Sequence, residues 1–507
     1  MDDGRYGSDQ PRPDGRPASS GSRPARAQVA GSARSLMVVG KVLAGLALAA
    51  LALAVAMTYR SGVLPPWWLV GGAIVAGAVT VGIGVALWRT RLPGHPIRFG
   101  ALSGLSLVLI ALSLVLSHAM VALTDFTNGI QPTTAATVRY DVIALKSHSP
   151  DIASLAGQPV GRLEGDPNAA LVQTELNRLV QVNLVDVADP GALAELITDA
   201  TLPGAVINDA YLALYEENLP EFYASVQILR SFDIVPLGPT WAPTWTPKPD
   251  PGPATTPFVL YISGVDSYSY SGRSDVNILA VVNPGSGRIL LVSTPRDYYV
   301  QLHGTTGRKD KLTHAGIYGV DMSVATLQDL YQIEIDYWLR INFNSVVRLV
   351  DTVGGIEVYS DYAFTSAHGR HSFVQGWNHL NGDQALAFAR ERYSFAGGDR
   401  VRGQNQEKII EGLVRRFSDP TILLRYNTIL SSLQDAFQTS APGDLITGLV
   451  NHQLSQKIDW QVESISVNGS DASEPTYSMG NQRLYVMIPD QATVRAAQDR
   501  IAQVLAG

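Results

Sequence analysis

FVLYISGVDSYSYSGRSDVNILAVVNPGSGRILLVSTPRD, residues 258–297, holds three apolar runs separated by polar turns. Phe258–Gly264 reads as one strand. Val276–Asn283 and Arg288–Ser293 read as a hairpin, because the joining Pro-Gly-Ser-Gly supplies the turn conformations that hairpins need. Helix-period stretches follow at Met322–Tyr331, Ser345–Val353, Gly382–Tyr393 and Gln404–Phe417, with YWLRINF and GIEVY as strands between them. These strands are too apolar to face water on both sides, so a mixed α/β domain is expected from residue 258 to residue 507.

Working toward the N-terminus, the run Pro236–Pro257 has eight prolines in 22 residues and predicts an extended, semi-rigid linker. Before it lies a module over residues 125–235. Strands are expected at Val138–Leu145, Pro159–Arg162, Val182–Val187 and Ala205–Asn208, and helices at Asn168–Leu179 and Gly191–Ala200. The patterns at 156–165 (AGQPVGRLEG) and 185–211 resemble one lobe of the solute-binding-protein fold. That implies a small accessory α/β domain, read either as half of a small-ligand cleft or as a spacer or docking domain without a ligand.

Residues 34–124 contain three apolar stretches, Leu36–Thr58, Trp67–Trp88 and Phe99–Leu123. Each has about 20 residues, the length that crosses a hydrocarbon core as a helix. Arg5, Arg12, Arg16, Arg23, Arg26 and Arg34 precede the first stretch, and Arg89, Arg91 and Arg98 follow the second, whereas the first loop carries only Arg60. The positive-inside rule then puts the N-terminus in the cytoplasm and everything after the third span outside the cell membrane. Residues 1–33 are rich in Gly, Ser, Pro and Arg and are expected to be a disordered tail.

Composition agrees with this layout. The 507 residues allow roughly three folding units. Only 16 % of the residues are charged, against about 25 % in soluble proteins. There is no cysteine, which excludes disulfides, thiolate metal sites and a cysteine nucleophile, and the net charge of −7 argues against a general nucleic-acid binder.

Ionisable residues gather where the apolar elements of the last module end: Asp266, Arg273, Asp275, Arg296, Asp297, Lys311, Arg390, Glu391, Arg392, Asp399, Arg400, Arg402 and Gln406. Within Leu386–Phe417 seven basic residues face four acidic ones, a local excess of +3 in an acidic protein. Guanidinium groups keep their charge and offer paired donors to phosphate oxygens, while aspartates are hard ligands for Mg2+. The residues therefore point to an extracytoplasmic phosphate or pyrophosphate site, the alternative being ordinary structural ion pairs. No Ser–His–Asp pattern, zinc helix or Walker-type glycine loop is evident.

The segment 264–300, with DKLTHA (310–315), INFNSVVRLVDTVGGIEV (341–358), LNGDQALAFARERY (380–393) and DRVRGQNQEKII (399–410), resembles the successive motifs of the LytR–CpsA–Psr family. The resemblance covers a motif core at 258–417. It implies an α/β/α domain with a central mixed sheet. It also implies a membrane-anchored, Mg2+-dependent phosphotransferase that moves a glycopolymer from a polyprenyl-pyrophosphate carrier to peptidoglycan or another envelope acceptor. By the same resemblance Asp266 and Asp275 would hold the metal. Arg273, Arg296, Lys311, Arg390, Arg392, Arg402 and Gln406 would hold the pyrophosphate, with Arg273 and Arg296 stabilising charge during transfer and Asp399 the candidate base. A pyrophosphatase and a non-catalytic lipid-pyrophosphate sensor are the alternatives. Val276, Thr313, His314, Val401, Asn405 and Glu407 depart from the family pattern.

Overall fold

The computed structural model describes residues 23–62, 64, 66–90, 95–129, 138–148, 151–164, 166, 168–235, 255–265, 272–367, 369–395, 398–419, 422 and 437–507. Most of the proline-rich linker, part of the N-terminal tail, and Asp266 lie outside these residues. Two compact units are formed, one by the N-terminal helices and one by the remainder.

The first unit contains α1 (Arg23–Ser61), α2 (Pro66–Arg89) and α3 (Pro96–Gly129). The segments Ser35–Ser61, Pro66–Arg89 and Pro96–Val121 are long and apolar enough to cross a membrane. Ala44, Ile83, Leu87 and Phe99 pack between the helices, while Leu46, Ile74 and Leu112 point outward and are exposed. Lys41 reaches the Trp88 ring at 4.5 Å. Helix α1 starts at Arg23, inside the segment expected to be disordered. Ala25, Ala27, Ala30 and Ala33 favour helix there and override the Gly/Ser/Pro content of the tail. Helix α3 likewise runs past residue 124 to Gly129.

In the second unit, β1 (Val138–Leu145), β2 (Pro159–Leu163), β3 (Asn183–Val187), β4 (Gly204–Asn208) and β5 (Val226–Ile234) form a sheet in the order β3-β2-β4-β1-β5. Tyr140 and Val142 of β1 face one core, and Ile143 and Leu145 face the other, as the two-residue strand period requires. The connecting helices are α4 (Ala169–Leu179), α5 (Pro190–Thr198), α6 (Ala210–Asn218) and α7 (Pro220–Ser225). Helix α5 starts where Asp189 accepts the Ala192 N–H at 2.9 Å and Pro190 fills the first turn.

The last module is built on a six-stranded sheet. Its strands β6 (Phe258–Val265), β7 (Ser274–Asn283) and β8 (Arg288–Ser293) are antiparallel neighbours. Tyr337–Asn342 pairs parallel to β6, and Phe437–Thr439 closes that edge. Gln461–Ser466 pairs parallel to β8, so the motif-poor C-terminal region is integral to the sheet. One face (Tyr261, Leu279, Val281, Leu290, Val292) packs against α9 (Val320–Tyr331), which follows the short α8 (Leu312–Ala315), and against the C-terminal helix Gln491–Ala506. The other face (Ile262, Ile278, Ala280, Leu291) lies toward α10 (Phe343–Thr352), α11 (Gly382–Arg390) and α12 (Asp399–Phe417). The expected α/β/α layering is therefore present, with mixed strand directions.

Two helix ends differ from expectation. Helix α11 stops at Arg390, because Glu391 turns extended and its carboxylate accepts the N–H groups of Ala367 and Ser394 at 2.5 and 2.9 Å. Helix α12 begins at Asp399, five residues before Gln404, after Gly398 adopts φ +48°. Its first turn is polar, so hydrophobic period gave no sign of it.

Candidate functional site

Between the second sheet face and the helices α10–α12 lies a cavity of about 410 Å3. Ligand pockets typically span about 300–1,000 Å3. Its deep part is apolar, with Ile262 and Ile341 from the sheet, Val346 and Leu349 from α10, and Ile410 and Leu413 from α12. Its mouth is polar. On α12 the positions 402, 406, 409, 410 and 413 all face the cavity, so one helical stripe changes from Arg402 and Gln406 to Ile409, Ile410 and Leu413.

Arg273, Asp275, Arg296, Arg390, Arg392, Arg402 and Gln406 all line this one cavity, although they come from four separate motifs. Arg296 is the hub. Its Nη1 donates to Asp275 Oδ1 at 2.8 Å, its Nη2 donates to Glu217 Oε1 at 2.9 Å, and its Nε lies 3.5 Å from Asp297. Arg273 pairs with the other oxygen of Glu217. Burial pulls the Arg273 guanidinium below its ordinary value; the neighbouring Asp275 opposes this and Arg296 adds to it. Arg390 lies over the Phe343 ring at 4.0 Å, and Arg392 donates to the Tyr393 hydroxyl at 2.6 Å. Asn405, one of the departures, donates to the Phe388 carbonyl at 3.3 Å and ties α12 to the end of α11.

Three of the sequence-predicted residues stand apart. Lys311 does not line the cavity: it is buried, and its ammonium lies 3.1 Å from Asp297. It supports the hub from behind rather than offering a cation to a ligand. Asp399 is the first residue of α12, and Asp266 lies outside the described residues. Glu391 is turned to backbone donors. Burial alone would raise its carboxyl, but the Ala367, Ser394 and Tyr393 N–H groups outweigh that and hold it low. It is structural, with the flanking arginines on the cavity.

Other contributors gave little or no signal in the sequence. Arg340 is buried in the strand Tyr337–Asn342 and donates to the Gly272 carbonyl at 2.7 Å, fixing the turn that presents Arg273. Burial pulls it down to about 10. Its only sign was a lone cation in an apolar strand. Gly316 packs under the same turn, where a Cβ would lie 2.7 Å from the Gly272 oxygen and 2.8 Å from the Ser274 nitrogen. Thr313 donates to Asp275 Oδ1 at 3.1 Å. Glu216 and Glu217, on α6 of the preceding module, also line the cavity.

A His–Asp–Ser trio exists elsewhere but lacks triad geometry. Asp310 and Ser478 both approach His314 Nδ1, at 2.6 and 2.7 Å, whereas a catalytic base must bridge acid and nucleophile through its two nitrogens. All three residues are buried.

Glu407, on the other side of α12, is buried, and its Oε1 has no hydrogen-bond partner among the described residues. Burial pushes its carboxyl from 4.5 up to about 8, against weaker lowering by Ser466 and Lys408. The folded chain thus holds this proton more tightly than the unfolded one. The associated stability is fully present below 4.5 and is lost as pH rises through about 8. Glu407→Gln is expected to raise Tm at about pH 9 and to change it little at about pH 5, measured by thermal denaturation.

A ring of guanidinium groups around one carboxylate-bearing mouth, continuous with an apolar chamber, fits an amphipathic ligand with a multiply charged anionic head. Residues 245–501 match the model of the LytR_cpsA_psr family, about half of the chain. The chain belongs to that family. A Bacillus anthracis relative named polyisoprenyl-teichoic acid–peptidoglycan teichoic acid transferase TagU is 35 % identical over 190 residues, covering 37 % of this chain and 62 % of the relative. An Enterococcus faecalis relative of the same name is 35 % identical over 193 residues, covering 37 % and 63 %. The chain thus spans less than two thirds of the length of these curated relatives. The crystal structure of B. subtilis TagV is 28 % identical, covering 50 % of this chain and 98 % of that one, with a TM-score of 0.43.

Proposed function

We propose that this chain is a membrane-anchored phosphotransferase that takes a polyprenyl-diphosphate-linked glycopolymer and transfers its glycosyl phosphate to a hydroxyl of a cell-wall acceptor. The observation carrying this reading is the continuity between the arginine-lined mouth and the apolar chamber. The chamber takes the first isoprenoid units, and the arginines take the two phosphates. The names of the 35 %-identical relatives support the reaction class.

Arg273 and Arg296 face the phosphates across the mouth, while Arg390, Arg392 and Arg402 extend the positive rim. The acceptor oxygen forms a bond to the phosphorus nearest the glycan. The bridging P–O bond breaks, polyprenyl phosphate leaves with the electron pair, and the hydroxyl proton passes to a base, for which Asp399 is the candidate. Fixed guanidinium groups stabilise the charge gathering on the leaving phosphate, in a reaction where positioning and electrostatics dominate. Mg2+ would neutralise phosphate charge. Asp275, a hard carboxylate fixed at the mouth by Arg296 and Thr313, fits as one ligand, with Asp266 as the second. The basic-residue bias of the loops places the N-terminus inside and this site outside the membrane.

Purified full-length protein, given a synthetic polyprenyl-diphosphate glycan, Mg2+ and peptidoglycan fragments, is expected to release polyprenyl phosphate only when the acceptor is present. Release without acceptor would instead mark a pyrophosphatase, and binding without turnover a sensor.

A further inference from the structure

Glu217 does not belong to the last module, yet it sits among that module's arginines. Its two carboxylate oxygens are divided between two guanidinium groups, Oε2 on Arg273 and Oε1 on Arg296 at 2.9 Å. Its charge and paired oxygens match what one phosphate would present to the same donors. Glu217 lies near the C-terminal end of α6, where the helix dipole disfavours an anion, so the arginines hold the carboxylate and the helix does not.

The backbone beneath it is anchored. Ala210 and Leu214 of α6 pack with Ile317, Met479 and Leu484. The Tyr211 and Tyr318 hydroxyls are 3.3 Å apart, and Gln482 Nε2 donates to the Asn218 carbonyl at 3.0 Å. The Glu217 side chain itself remains one third exposed. A rotamer change therefore suffices to free both arginines without moving the module.

Building on the reading of this cavity as a diphosphate site, we propose that Glu217 is a built-in occupant of the phosphate subsite. It holds Arg273 and Arg296 in place while the site lacks a lipid diphosphate and swings out when one binds. The accessory module thus sets the threshold affinity of the catalytic one.

The test uses the full-length chain and farnesyl diphosphate, followed by isothermal titration calorimetry. Glu217→Gln keeps the shape and removes the charge, and is expected to bind about tenfold more tightly than the natural chain. Glu216→Gln removes the same charge from the same cavity without the two-arginine contact, and is expected to stay within about twofold. Equal or weaker binding by Glu217→Gln, or equal tightening by Glu216→Gln, overturns the proposal. Absence of binding by every variant overturns the diphosphate reading itself.

Discussion

Arg296→Ala is expected to lower transfer by on the order of 100-fold to 1,000-fold, the usual consequence of deleting one preorganised donor to a developing anion. The residue justifies a value at this end of the scale because it joins everything at the mouth. It contacts Asp275, Glu217 and Asp297 at once, and its side chain is only 14 % exposed. Arg296→Lys is expected to recover little, since an ammonium keeps the charge but cannot donate through two parallel nitrogens. Steady-state release of polyprenyl phosphate checks both variants, with thermal denaturation alongside. A loss of activity without a comparable loss of Tm assigns the effect to the ligand, whereas nearly natural activity in Arg296→Ala removes it from the site.

The second large effect concerns the lipid. Val346 lies on the apolar wall contributed by α10, so Val346→Trp fills space that an isoprenoid would occupy. Excluding roughly four methylene groups at about 0.8 kcal/mol each costs about 3 kcal/mol, or a factor of about 100 to 200 in affinity. Farnesyl diphosphate is therefore expected to bind about 100-fold more weakly to this variant, while inorganic pyrophosphate, which needs only the mouth, changes less than about twofold. Calorimetry with both ligands checks the split. Equal weakening of both would indicate general damage to the site rather than a filled lipid chamber.

Much of this architecture was legible in the residues because it rests on short-range rules. The strands Val138–Leu145 and Arg288–Ser293 appear at their expected bounds, since alternation or continuous burial and flanking turn residues define both ends. The arginines of four motifs were readable as a set because each sits where an apolar element ends, and the fold brings those ends to one mouth. Glu217 was not readable. Nothing in AYLALYEEN distinguishes it from a solvated glutamate, and its meaning comes from α6 docking on a module that begins beyond the linker. Lys311 misled for the converse reason: a lysine between motif aspartates looks like a phosphate ligand, but burial against Asp297 gives it a structural partner instead. The start of α12 was missed because its first turn carries polar side chains and no apolar repeat, while its capping glycine reveals itself only by its backbone angles.

The central claim is that one ligand occupies the guanidinium mouth and the apolar chamber together. Electron density from crystals of the protein grown with farnesyl diphosphate tests it most directly. The account predicts phosphate oxygens on Arg273 and Arg296, the Glu217 carboxylate displaced, and the isoprenoid chain running between Ile410 and Leu349. A diphosphate bound elsewhere, or a chain lying outside the chamber with Glu217 still on both arginines, would contradict it.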